Sequence, residues 1–157
     1  MYNTSNKSFI LAMNNLSCYT RLVKLLFNRD GNVIPEMNTK IIKTFVEILE
    51  EGTQHEEVRK SVADLRHFDE YFMAAMNNNS LDITQDLSKK DLEISAIIMH
   101  FYTFICNICF TSNDIRDQIA SKFSFIMEKI NKFIERFDFS SYICTNVFEC
   151  VLSLIFL

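Results

Sequence analysis

The chain has 157 residues, 48% of them hydrophobic, a length that fits one domain and an apolar share sufficient for a substantial core. Two glycines and one proline leave too little turn chemistry for a many-stranded sheet, while 15 phenylalanines and 7 methionines suit adaptable helix packing, so the expected class is all-α. A net charge of −4, with lysines and arginines scattered among acids, supplies no basic stripe for a phosphate backbone and argues against nucleic acid as a partner.

The N-terminal MYNTSNKSF lacks a charged segment followed by an apolar one and does not read as a secretory signal. A cytoplasmic, reducing compartment is therefore expected, with the five cysteines as thiols. A first helix is predicted from about Lys7 to Phe27, with Ala12, Leu16, Tyr19, Val23 and Leu26 on one stripe. Asn28 to Gly31 ends it. Pro35 is placed to open a second helix whose stripe is Met37, Ile41, Phe45 and Ile48 and which Gly52 terminates. Thr53-Gln-His-Glu56 has capping-box spacing and opens a third helix, with Val58, Val62, Leu65, Phe68 or Asp69, Phe72 and Met76 as its stripe, ending in Asn77-Asn78-Asn79. Leu81, Ile83 and Leu87 lie in a shorter, less regular piece.

Ser88-Lys-Lys-Asp91 is a second cap-like signal. It opens the stretch on which the core depends, Lys89 to Phe110, which is apolar on almost every side from Ile94 onward and must be surrounded by other helices. Ser95, His100, Thr103 and Asn107 interrupt it, which favours a buried helix over a membrane span. After Thr111-Ser112-Asn113, the residues Ile115, Ile119, Phe123, Ile126, Ile130, Phe133 and Phe137 predict one long helix packed antiparallel to the central one. Ser140-Ser141 can cap a last helix from Tyr142. Its run VFECVLSLIFL contains Glu149 and lacks flanking Lys or Arg, so a tail anchor is not supported, whereas peripheral membrane contact stays open.

Cys106-Asn-Ile-Cys109 has metal-type and redox-type spacing, and Cys144 and Cys150 could add ligands. On a helix, however, a step of three places both sulfurs on one buried face, and no second knuckle with histidine follows. No metal and no cofactor is expected. His55, His67 and His100 are isolated from any nucleophile and carboxylate arrangement, with His100 read as a hydrogen-bonded core or groove residue. The two glycines, Gly31 and Gly52, make no phosphate loop, so an enzyme is not expected.

The stretch Leu65-Arg-His-Phe-Asp-Glu-Tyr-Phe72 resembles the BH-3 motif of the Bcl-2 family: Leu65, Phe68 and Phe72 take the apolar places, Asp69 stands for the glycine and Glu70 for the aspartate. The order of elements from Val58 to Leu157 is similar to that family's as well. Glu93-Ile-Ser-Ala96 falls where the first homology motif reads Asn-Trp-Gly-Arg, keeping a small residue at Ser95 but losing the tryptophan and, at Ala96, the arginine. Ser140-Ser141-Tyr142 looks like the Gly-Gly-Trp of the second motif. This erosion resembles the virus-encoded members of poxviruses and iridoviruses.

The resemblance implies one domain over residues 1–157, a Bcl-2-like bundle of about seven helices around the buried central helix. It implies an anti-apoptotic, host-cell protein, cytoplasmic with mitochondrial association open, that sequesters the BH-3 helix of pro-apoptotic proteins such as Bim, Bak or Bax in a hydrophobic groove. Carried over by position, that groove takes its wall from Phe72, Ala75 and Met76, its rim from Ile83 and Leu87, and its floor from Ala96, Ile98 and Met99. With the arginine lost, a narrow ligand range follows unless Lys89, Lys90 or Arg66 substitutes. A second reading keeps the fold but targets innate-signalling adaptors through other surfaces. A third is a plain structural bundle or a metal-dependent enzyme. The phenylalanine-rich helices and the apolar C-terminus also leave a homodimer open.

Overall fold

The computed structural model describes residues 4–26, 39–76 and 92–135, together with 149, 152 and 153. Every element among them is helical, eight helices in all: α1 (Thr4–Asn15), α2 (Cys18–Leu26), α3 (Thr39–Thr53), α4 (Glu56–Ala63), α5 (Phe68–Met76), α6 (Leu92–Cys109), α7 (Asn113–Ala120) and α8 (Phe123–Glu135). The all-α class follows directly. Glu149, Leu152 and Ser153 are helical, within the last helix expected from Tyr142. Pro35, Met37, Phe137 and the segment with Leu81, Ile83 and Leu87 lie outside the described residues.

α6 is the core. Ile97, Ile98, Phe101, Tyr102, Phe104, Ile105, Ile108 and Cys109 are each at most 1% exposed, and they make one broad buried face of the helix. Burial of one such aliphatic or aromatic side chain is worth roughly 1.5–3 kcal/mol, so the helix is stable only when enclosed. Its most extensive neighbour is α3. Glu47 and Glu50 of α3 meet His100, and Thr53 meets Asn107, so the two helices run parallel. α5 crosses the opposite way, Phe68 against Phe104 and Phe72 against Phe101, each pair with ring centroids 6.4 Å apart.

Three of the expected long helices are broken. The first divides at Leu16-Ser17, where Ser17 takes a φ of 57° and Thr20 Oγ1 donates to the Ser17 carbonyl. The poor helix formers Asn14 and Asn15 precede this turn, and the stripe expected to run through Ala12 and Leu16 is exposed there, Leu16 to 67%. Tyr19, Val23 and Leu26 are buried as expected. The third divides at residues 64–67, where His67 has a φ of 60°. The helix expected from Ile115 to Phe137 divides at Ser121-Lys122, with Ser121 as the α7 C-cap.

That last division removes the long antiparallel partner expected for the central helix. α7 contacts both α5 and α6, whereas α8 has no extensive contact with α6 among the described residues. The buried stripe of α3 is also displaced by one residue, to Ile42, Val46 and Leu49, leaving Ile41 45% exposed. The segment IIKTFVEIL carries two adjacent apolar stripes of equal spacing, and periodicity alone does not choose between them. The observed stripe continues into Gly52 and Thr53, whose small side chains let neighbouring helices close in.

The end of α3 shows why. Gly52 is not a terminator but lies within the last turn: a Cβ built there would sit 2.3 Å from Tyr19 Cε1, so α2 packs its tyrosine ring directly on the glycine backbone. Thr53 does not cap the next helix. It is fully buried, its hydroxyl lies 2.9 Å from the carbonyl oxygens of Leu49 and Glu50, and it accepts from Asn107 Nδ2 at 3.2 Å. His55 is the N-cap of α4 instead, without a side-chain hydrogen bond. The adjoining carbonyls of Thr53 and Gln54 are taken by Arg59 Nη1, each at 2.9 Å, while Arg59 Nε donates to Thr111 Oγ1. One guanidinium thus ties the α3 C-terminus and α4 to the turn after α6.

Gly52→Ala is expected to destabilise the protein by about 1–3 kcal/mol, because the overpacking against Tyr19 outweighs the roughly 1 kcal/mol that alanine adds in helix propensity. Urea unfolding measures this. In combination with Tyr19→Leu the cost of Gly52→Ala should shrink; strict additivity of the two changes would refute the close-approach explanation.

Candidate functional site

The BH-3-like stretch spans a helix break. Leu65 lies in the α4–α5 turn and is partly buried, while Phe68, Asp69, Glu70 and Phe72 lie on α5. Phe68 and Phe72 are each 1% exposed and face α6, so they belong to the core. The acids of the motif are already engaged. Asp69 Oδ2 is 3.3 Å from Lys122 Nζ, and the Asp69 amide donates to Gln118 Oε1 at 3.4 Å, joining the first turn of α5 to α7 and the turn after it. Glu70 Oε1 is 3.4 Å from Nδ1 of His67, the residue with the left-handed backbone. A β-carbon at positive φ is strained, at a cost of order 1–3 kcal/mol, and the surrounding contacts hold it there.

Of the residues assigned to a groove, Phe72 and Ala75 from α5 and Ile98 from α6 are each 1% exposed. Ala96 and Met99 are partly buried, Met99 against the core. Met76 closes α5. Ile83 and Leu87 lie outside the described residues, as do Lys89 and Lys90. Among the described side chains of α6 from Ala96 to Cys109, those with partial solvent access are Ala96, Met99, His100, Thr103 and Asn107. Their spacing of three and four makes a single stripe, apolar at its N-terminal end and polar along the α3 seam.

Arg66 and His67 are exposed and line a shallow cleft of about 470 Å³ with Ala63, Asp64, Leu65, Asp114 and Gln118. Arg66 thus stands beside α7, in a cleft that carries two carboxylates of its own. After α6, in the turn expected at Thr111-Ser112-Asn113, Ser112 caps α7 by accepting from the Ile115 amide at 3.2 Å.

Cys106 and Cys109 are both buried, and burial pushes the Cys109 thiol from its ordinary 9.0 to about 12, with Cys106 adding to the effect. A thiol so placed stays protonated at neutral pH and is a poor nucleophile. Among the described residues, no group of three or more His, Cys, Asp and Glu side chains is placed to hold a metal ion. Nor is any described helix long and apolar enough to cross a membrane.

One cluster escaped the sequence reading. His100 stands between two carboxylates of α3: Nε2 is 3.4 Å from Glu47 Oε1, and Nδ1 contacts Glu50 Oε2. Its hydrogen-bonded character was foreseen, but its partners were not. The available signal was the pair Glu47 and Glu50, three residues apart and flanking the apolar stripe of α3. No family model, curated protein or solved structure matches the chain.

Alkylation of the native protein, read peptide by peptide in a mass spectrometer, should modify half-buried Cys18 well before Cys106 or Cys109. Rapid labelling of Cys109 would overturn the assignment of a neutral core thiol. The sign of the pH effect follows. The folded state keeps Cys109 neutral while the unfolded chain ionises it near its ordinary value, so folding stability should decline as pH rises from 9 toward 12. Cys109→Ala should flatten part of that decline.

Proposed function

We propose that the protein is a Bcl-2-like helical binding module that inhibits apoptosis by holding the BH-3 helix of a pro-apoptotic protein such as Bim, Bak or Bax. The observation that carries this reading is the central helix. α6 buries one broad face, and on the stripe left with partial access its N-terminal half presents the apolar pair Ala96 and Met99. That is where a groove floor would lie under the resemblance, and an amphipathic helix seats its anchors on such a floor at helical spacing. α5 supports the same reading, since its Phe72 packs on Phe101 of α6 and its Ala75 is buried. The narrow ligand range is part of the proposal. Ala96 brings no cation to a ligand aspartate, and Arg66 stands in the α7 cleft.

A second reading is favoured by a specific observation. Phe72, Ala75 and Ile98 are each 1% exposed, which suits a member of the same architecture whose groove is filled and which engages innate-signalling adaptors through other surfaces.

Calorimetry with a panel of BH-3 peptides separates the two. The groove reading expects binding to one or a few peptides, weakened at least tenfold, about 1.4 kcal/mol, by Met99→Glu in a protein whose melting temperature shows it still folded. Tight binding to most of the panel would contradict the narrow range. No binding to any peptide, together with capture of a signalling adaptor, establishes the second reading.

A further inference from the structure

Charge is distributed unevenly along the chain. No aspartate or glutamate precedes Asp30, although the whole chain carries a net charge of −4. α1 and α2 therefore bring cations alone: Lys7, Arg21 and Lys24, all exposed. None of the three has a carboxylate in ion-pair reach among the described residues, whereas Lys43, Lys60, Lys122 and Lys132 are paired with Glu47, Glu56, Asp69 and Glu128.

The same two helices and their turn hold half of the exposed large apolar side chains. Of the six recorded among the described residues, Phe9 at 63%, Leu16 at 67% and Leu25 at 42% lie in α1, in the turn after it and in α2. Steps of three and four from Phe9 through exposed Ala12 to Leu16 make one stripe, and the Leu16 amide still donates to the Ala12 carbonyl, so the stripe runs into the turn. On α2, Ser17, Arg21, Lys24 and Leu25 repeat that spacing on the side opposite buried Tyr19, Val23 and Leu26. The two stripes meet at Leu16-Ser17. Buried Ile10, with Asn6 donating to Glu51 at 3.1 Å and Asn14 to Ser61 Oγ at 3.0 Å, fixes the inner side of α1 and turns the Phe9 stripe to solvent.

Apolar tips alone would suit a second copy of the chain. Unpaired cations beside them would face their own images across a symmetric contact, and that repulsion selects an anionic partner instead. Helix exteriors that set apolar tips among basic ones lie on a bilayer, where arginine and lysine stems add apolar contact while their heads stay among the headgroups. We propose that the outer face of the α1–α2 pair is a docking surface for an anionic membrane, with Phe9, Leu16 and Leu25 entering the headgroup layer and Arg21 and Lys24 meeting the lipid anions. This surface is separate from the α5–α6 groove and from the apolar C-terminal run. Its attraction is screened by salt, and each cation brought to the lipid surface strengthens binding about fivefold.

Sedimentation of the full-length chain with vesicles tests this. Vesicles of three parts phosphatidylcholine to one part phosphatidylserine should carry the protein down, phosphatidylcholine alone should not, and added salt should release it. Arg21→Glu with Lys24→Glu should weaken binding by roughly tenfold or more. Lys60→Glu with Lys132→Glu, the same change of net charge placed on α4 and α8, should leave most of the binding in place. Phe9→Ser with Leu16→Ser should also release the protein without lowering its melting temperature, since both side chains are exposed.

The chain has no tryptophan, so Phe9→Trp places a lone indole on this face and Ile134→Trp a lone indole on α8. The emission of the first should shift to the blue on phosphatidylserine vesicles and that of the second should not. Absence of sedimentation with phosphatidylserine, equal losses from the two charge-reversal pairs, or equal shifts from the two indoles overturn the proposal. Self-association that Phe9→Ser with Leu16→Ser abolishes, without vesicle binding, gives the face to a second copy and overturns it as well.

Discussion

The rest of the structure depends on one constraint: α6 has no polar side wide enough to face water. An eighteen-residue helix with eight side chains at 1% exposure or less must be enclosed, and the neighbouring elements are placed by that need. α3 lies along it in parallel, α5 crosses it with two phenylalanines on two phenylalanines, and α4 and α7 close the end where Asn107 and Thr111 emerge. Thr53, the buried polar side chain among the described residues, is satisfied within its own helix and by Asn107.

Polar contacts set register where apolar packing alone would allow sliding. Along the α3–α6 seam they come in sequence, Glu47 and Glu50 on His100 and then Thr53 on Asn107, so that a shift of one turn would break every one of them. On the far side of α5, Asp69 with Lys122 and Gln118 performs the same office against α7. These pairs are partly exposed and individually modest in energy. Their value is specificity: Phe, Ile and Met pack in many arrangements of nearly equal energy, and directional groups select one.

The sequence made the helical class and the central helix legible because both rest on strong, redundant signals, namely scarce glycine and proline and an apolar run without a wet face. The breaks were not legible at Ser17, His67 and Ser121, since apolar periodicity continues across all three and only the left-handed backbone at the first two reveals the interruption. Gly52 was misread as a stop because a helix-ending glycine and a glycine under a neighbouring ring look alike in one sequence. Of the site, Leu65 to Phe72 was found as a segment, but its apolar members proved to be core and its acids to be bonded within the chain. Glu47 and Glu50 were unreadable as partners of His100, because a contact across fifty positions leaves no trace in local spacing.

That separation bears on how the chain reaches its native state. Parallel neighbours cannot be joined by a tight turn, and here the path from α3 back to the start of α6 includes α4 and α5, so the seam joins residues 50 and 54 positions apart. α6 therefore cannot hide its apolar surface by pairing with the segment next to it, as the second helix of a short hairpin would. Its shelter exists only after some seventy residues, from Thr39 to Cys109, have been made and gathered, which places the loop-closure cost before the reward. During that interval the unsheltered apolar face of α6 is the surface on which chains can associate before they fold.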